Sequence, residues 1–223
     1  MFDIEKYLDD ITAECKAVFG ERLIYIGLQG SYLRGEAREN SDIDIMVVID
    51  GFSVSDMDSY KAILKRIGYY EKSCGFICGK DELARWNPLE VCQLIHTTKD
   101  IYGSLKELLP ESDRTDEINY TAVSLNNLYH EICHRYIHAN REKNITKFPF
   151  TCKSLFYLIQ NLHYLESGDF ITTKKALKEA VSQSDREILS LGENTDEKTF
   201  DSEFNTLFEW CRGAFSRIDR LRK

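Results

Sequence analysis

The run Ile43-Asp44-Ile45-Met46-Val47-Val48-Ile49 constrains this chain more than any other stretch. It is apolar at every position but Asp44 and rich in β-branched residues, so it reads as the strongest strand in the sequence. A second apolar run, Leu23-Ile24-Tyr25-Ile26-Gly27-Leu28, reads as a buried strand. Helical spacing precedes it: Ile4, Tyr7, Leu8, Ile11, Cys15, Val18 and Phe19 fall on one stripe over 3–19, with Gly20 as the stop. A further helix is predicted from Asp56 to Ile67. Phe76-Ile77-Cys78 and Val91-Cys92-Gln93-Leu94-Ile95 are short strand candidates, with a helical turn at Asp81–Trp86 between them. The first half is therefore α/β in character.

The pattern changes near residue 103. Leu108-Leu109-Pro110-Glu111-Ser112-Asp113 reads as a linker, with Pro110 as breaker and Ser112 or Asp113 as a helix cap. Strand signals then stop. Ile118, Ala122, Leu125, Tyr129, Ile132, Tyr136 and Ile137 form one helical stripe. Leu155 to Leu165 form a second, ended by Gly168. Thr172 caps a third that runs to about Val181, and Phe200 to Leu221 form the last. Four amphipathic helices in succession make a bundle. The expected fold is an α/β-type domain over 1–105, followed by a helical bundle over 113–223.

Composition narrows the function classes. The 223 residues carry 29 Lys+Arg against 37 Asp+Glu, a net charge of −8. That balance argues against bulk binding of nucleic acid, which needs clustered cations. The seven cysteines are odd in number, lack a CxxC pair and mostly sit in apolar stretches, which fits a reducing cytoplasm. No signal peptide and no membrane span is expected. The basic end, Arg217, Arg220, Arg222 and Lys223, reads as a helix terminus favoured by the macrodipole.

The chemistry concentrates in one segment, Gly30-Ser31-Tyr32-Leu33-Arg34-Gly35-Glu36-Ala37-Arg38-Glu39-Asn40-Ser41-Asp42-Ile43-Asp44. A Gly-Ser pair after a buried strand lets the backbone turn sharply and approach a ligand. Exposed amides there, with the Ser31 hydroxyl, can cradle a phosphate. Asp42 and Asp44 stand two apart on the next strand, so both carboxylates project from one face while Ile43 and Ile45 point to the core. Neighbouring carboxylates repel unless a cation sits between them. Hard oxygen donors suit Mg²⁺, which commonly joins one or two carboxylates to substrate phosphates.

The pattern Gly-Ser-x3-Gly-x5-Ser-Asp-x-Asp resembles the signature of the nucleotidyltransferase superfamily of the DNA polymerase β type. It is most similar to the minimal and antibiotic-modifying branches, such as the kanamycin and lincosamide nucleotidyltransferases, which pair this domain with a C-terminal helical bundle often related to HEPN domains. The resemblance implies a nucleotidyltransferase fold with a short mixed sheet, an NTP substrate such as ATP and a two-ion Mg²⁺ site. It implies that Gly30 and Ser31 hold the β- and γ-phosphates, with Arg34 and Ser41 as further nucleotide-binding candidates. Asp42 and Asp44 would hold the metals. The implied reaction is in-line attack by an acceptor hydroxyl on the α-phosphorus, with pyrophosphate leaving. The family usually adds a third carboxylate from an adjacent strand. Phe76-Ile77-Cys78 contains no acid, which leaves Glu71 and Glu90 as the nearest candidates. The resemblance also admits a homodimer with a shared cleft.

A second motif competes. His130-Glu131-Ile132-Cys133-His134 matches HExxH, the zinc-protease pattern, and His138 continues its stripe. The longer metzincin pattern is absent. The alternatives are a solvated polar face, or a face lining a cleft in which Glu131 binds or deprotonates an acceptor. An Arg-x4–6-His ribonuclease motif is also absent, since only two residues separate Arg135 from His138.

Two functions follow as expectations. The first is Mg²⁺-dependent transfer of AMP from ATP to a hydroxyl of a small-molecule acceptor, such as an aminoglycoside-like or lincosamide-like antibiotic. The second is an antitoxin-like or regulatory module whose nucleotidyltransferase domain modifies or binds a partner protein.

Overall fold

The computed structural model describes residues 2–223. The chain divides into two compact units, Met1–Ser112 and Asp113–Lys223.

The N-terminal unit begins with helix α1 (Ile4–Phe19), whose first turn is capped by the Asp3 side chain accepting from the Lys6 amide at 3.1 Å. Strand β1 (Leu23–Leu28) follows, then the four-residue helix α2 (Gly30–Leu33) and strand β2 (Ile43–Ile49). Helix α3 (Val54–Ile67) starts in a capping box between Ser53 and Asp56. After it come β3 (Ser73–Gly79), α4 (Lys80–Leu83), α5 (Pro88–Thr97) and β4 (Lys99–Tyr102). The strands lie in the order β3-β2-β1-β4. β2 runs antiparallel to β1 and parallel to β3, and β1 runs antiparallel to β4, so the sheet is mixed, as the resemblance implies.

The two faces of the sheet carry separate cores. Ile26, Leu28, Ile43, Ile45, Val47 and Ile49 pack with Leu8, Ile11 and Cys15 of α1 and Ile63 of α3. Tyr25, Met46, Val48 and Cys78 pack with Leu83 and Leu105 on the other face. Strand alternation puts Asp44 on this second face, in line with Met46 and Val48, and Asp42 lies just ahead of the strand. Arg22 anchors the far end of the hairpin. Its guanidinium donates to both oxygens of the buried Asp56, at 3.1 and 2.7 Å. That arrangement holds the Asp56 carboxyl down at about 2, first through the Arg22 hydrogen bonds, against the opposing cost of burial.

Two expectations are corrected here. Val91–Ile95 is not a strand; it lies inside helix α5. Pro88 occupies the first turn and Asn87 caps it by accepting from the Leu89 amide at 3.1 Å. Asn-Pro ahead of an apolar run is a helix-start signal, and periodicity alone does not separate a short buried helix from a strand. The fourth strand is instead Lys99–Tyr102. The N-terminal unit also extends beyond residue 105: Leu105 is buried, and Leu108 and Leu109 pack beside it.

The second unit is helical: α6 (Arg114–His138), α7 (Arg141–Ser167), α8 (Lys174–Ala180), α9 (Gln183–Ile188) and α10 (Phe200–Leu221). Asp113 caps α6 by accepting from the amides of Thr115 and Asp116 at 2.7 and 3.0 Å. Leu125 and Ile132 of α6, Leu155, Ile159 and Leu162 of α7, and Leu207 and Cys211 of α10 form its core. α7 starts well before its apolar stripe and contains Pro149. Arg217 stands about one turn before the end of α10. It donates to the buried Asp185 at 2.7 Å and to both oxygens of Glu166 at 2.8 and 2.7 Å. Trp210 Nε1 donates to the same Asp185 oxygen at 2.7 Å. This network joins α7, α9 and α10 along a groove of about 900 Å³.

No helix among the described residues is long and apolar enough to cross a membrane.

Candidate active site

β1 and β2 are antiparallel neighbours, so the segment between them leaves and re-enters the sheet at one edge. Gln29 fixes that crossing: its amide donates to the Asp44 carbonyl at 2.9 Å. Gly30 then adopts φ +69°, a left-handed conformation that favours glycine. The space is equally restrictive. A Cβ at Gly30 would lie 1.9 Å from Oδ2 of Asp44. The turn therefore presses bare backbone against the carboxylate. Ser31 follows in the first turn of α2, where amides have no intrahelical acceptor. α2 is seated by Tyr32 and Leu33, which pack on the α1 side of the sheet, with Phe2 edge-on to Tyr32 at 5.2 Å.

Asp42 is exposed and Asp44 half-buried. No salt bridge among the described residues neutralises either one. Gly30 is thus set against Asp44, with Ser31 next to Gly30 in the chain and Asp42 two residues before Asp44. The rest of the loop is held by its own polar groups. Arg34 pairs with Glu36 at 3.0 Å, and the Ser41 hydroxyl accepts from the Arg38 amide at 2.8 Å. The Lys72 ammonium hydrogen-bonds the Glu39 carbonyl and tethers the loop to the start of β3.

The parallel pairing of β2 with β3 decides what stands beside the carboxylates. Asp44 is in register with Cys74. Paired residues point to the same face, so the neighbour is a thiol and not an acid. Cys74 is exposed. Partial desolvation, and then the Asp44 charge, push its thiol up and keep it protonated. Sequence reading missed Cys74, because its position beside Asp44 depends on strand register.

The other candidates stand on other elements. Glu71 sits on the exposed 3₁₀ turn Tyr70–Lys72 just before β3. Glu90 is in the first turn of α5, where it accepts from Trp86 Nε1 at 2.8 Å. Glu131 belongs to the helical unit, where Arg135 and Thr151 donate to the same oxygen at 2.7 and 3.0 Å. Among the described residues, no three His, Cys, Asp or Glu side chains converge as a metal cage. An oxygen pair with open positions is the set that Mg²⁺ uses when phosphates and waters complete its shell.

Comparison with known proteins follows this geometry. Residues 10–85 match the model of the nucleotidyltransferase domain. A Methanocaldococcus jannaschii protein, provisionally named a protein adenylyltransferase, is 38% identical over 60 residues. That stretch is 27% of this chain and 41% of the relative, so the chain spans less than half the length of the curated relative it matches. A spectinomycin adenyltransferase, AAD(9) of Enterococcus faecialis, solved with ATP and spectinomycin, shares the fold. The TM-score is 0.54 at 17% identity, over 98% of this chain and 99% of that one. The stretch that matches the nucleotidyltransferase domain model contains Gly30, Ser31, Asp42 and Asp44.

Proposed function

We propose that this chain is a Mg²⁺-dependent adenylyltransferase that transfers AMP from ATP to an acceptor hydroxyl. The observation that carries the reading is the Gly30 turn set against Asp44, beside two carboxylates that no cation among the described residues neutralises. Mg²⁺, when bound by Asp42 and Asp44, would neutralise phosphate charge and polarise the α-phosphorus. The backbone at Gly30 and Ser31 would hold the β- and γ-phosphates, and the glycine lets them approach without a side chain between. Arg34 would exchange Glu36 for the leaving pyrophosphate, and Ser41 would keep the loop closed behind it. The acceptor oxygen bonds to the α-phosphorus, the bond from that phosphorus to the β-phosphate bridging oxygen breaks, pyrophosphate leaves, and the hydroxyl proton is released.

Two acceptor classes are supported by different observations. The full-length likeness to an antibiotic-modifying fold supports a small hydroxyl-bearing molecule, and the net charge of −8 suits a cationic one. The name carried by the archaeal relative supports a protein hydroxyl and the regulatory alternative.

The test uses ATP labelled at the α-phosphate, offered with Mg²⁺ to hydroxyl-bearing antibiotics and to cell-extract proteins. Label on an acceptor, with pyrophosphate released, is the expected result. Asp42→Ala and Asp44→Ala should each abolish transfer while the chain stays folded. Release of labelled ADP in place of pyrophosphate, or unchanged Mg²⁺-dependent ATP binding in both variants, would overturn the reading.

A further inference from the structure

Three of the chain's five histidines line one exposed face of α6. His130, His134 and His138 are spaced four apart, so each lies one turn from the next. The rings of His130 and His134 are stacked with centroids 5.7 Å apart and planes 17° from parallel. Those of His134 and His138 are 4.6 Å apart, tilted by 46°. With metal–nitrogen bonds of about 2.1 Å, two imidazoles on one tetrahedral ion have centroids roughly 5 Å apart. The two observed separations bracket that value.

Glu131 is turned away from this face. Its carboxylate is taken by Arg135 and Thr151, which ties α6 to α7. It is therefore not free to act as the base of an HExxH protease. What remains is a row of nitrogen donors on a stable 25-residue helix.

We propose that this row is a surface chelate for a divalent transition-metal ion, with His134 as the shared ligand and either His130 or His138 as the second. The eight residues from His130 to His138 rise about 12 Å, so one ion does not reach all three rings. This agrees with the absence of a three-ligand cage among the described residues. Neutral imidazole suits Cu²⁺, Ni²⁺ and Zn²⁺ and is a poor ligand for Mg²⁺, so the site is chemically separate from the carboxylate pair. The remaining coordination positions are open to water or to a donor from another molecule. Metal binding here stabilises α6, because the chelate forms only in the helical arrangement.

The experiment titrates the full chain with NiCl₂ or ZnCl₂ by calorimetry and follows thermal unfolding. It is done in the Asp42→Ala/Asp44→Ala background to remove binding at the carboxylates. Saturable binding of one ion with a rise in Tm is expected. His134→Ala should lose both effects, because it breaks either pair. The double variant His130→Ala/His138→Ala should lose them equally, while each single variant retains weaker binding or identifies the pair in use. Wild-type-like binding by His134→Ala, or no saturable binding before substitution, would overturn the proposal.

Discussion

Gly30 and Asp44 fit together so closely that a single added methyl at Gly30 would fall 1.9 Å from the Asp44 carboxylate oxygen. Gly35 provides an internal comparison. It shares the φ of +69°, but a Cβ there meets nothing within 4 Å. Both Gly→Ala changes carry the left-handed backbone penalty of about 1 kcal/mol. Only Gly30→Ala must also move Asp44. It should therefore lower Mg²⁺-dependent ATP affinity and adenylyl transfer by about 100-fold or more, the cost of misplacing a reacting group by about 1 Å. Gly35→Ala should lose stability with little change in affinity. Equal losses in the two variants, measured by ATP titration and chemical unfolding, would show that backbone strain alone accounts for the effect.

Cys74 supplies a gain-of-function test. It lies in register with Asp44 on the adjacent parallel strand. Cys74→Asp places a third carboxylate beside the pair. Without divalent ions, like-charge repulsion should lower stability, and saturating Mg²⁺ should restore it. Mg²⁺ affinity should rise by roughly 10-fold, the effect of about 1.4 kcal/mol of added charge attraction. Cys74→Ser, measured alongside, should change neither quantity much. Tm with and without MgCl₂ reads both arms.

Asp56 gives the pH dependence. Its carboxyl titrates at about 2 in the folded chain, below the ordinary carboxylate value of 3.8. A depressed carboxyl contributes stability that is present in full above about 4 and is lost as pH falls toward 2. Asp56→Asn should therefore destabilise the chain at pH 7 by about 1–2 kcal/mol, since the solvent-exposed side of Arg22 weakens the pair. The difference between wild type and variant should close as pH is lowered from 5 to 2. Urea unfolding at stepped pH measures it.

Arg217→Ala probes the helical unit. It leaves the buried Asp185 with Trp210 but without its cation. Removing one partner of a buried pair costs about 3–5 kcal/mol, mostly from the charge left behind. Adding Asp185→Asn should recover part of that loss, because the orphaned charge is then gone. Denaturant midpoints of the single and double variants check this. Additive losses would contradict it.

Much of this molecule was legible in the residues. Ile43–Ile49 and Leu23–Leu28 declared themselves as strands through unbroken apolar runs, and α10 through strict helical spacing. The Gly30-Ser31 and Asp42-x-Asp44 elements were legible because they lie in one continuous segment. What escaped depended on distant pairing. The place of Cys74 beside Asp44 follows from strand register. The burial of Arg217 follows from where α9 delivers Asp185. Val91–Ile95 was misread because five apolar-rich residues carry no period, and the deciding Asn87-Pro88 start lay outside them.

The hairpin between β1 and β2 also bears on how the site comes together in time. Gly30 and Asp44 are separated by 44 − 30 = 14 residues, whereas Asp44 and Cys74 are separated by 74 − 44 = 30. Closing the longer loop costs roughly 0.7 kcal/mol more chain entropy. The Gly30 turn and Asp44 therefore meet through a local closure, whereas pairing with β3 closes the longer loop. A nascent chain that has emerged only through Ile49 already contains Gly30, Ser31, Asp42 and Asp44, together with both strands that hold them.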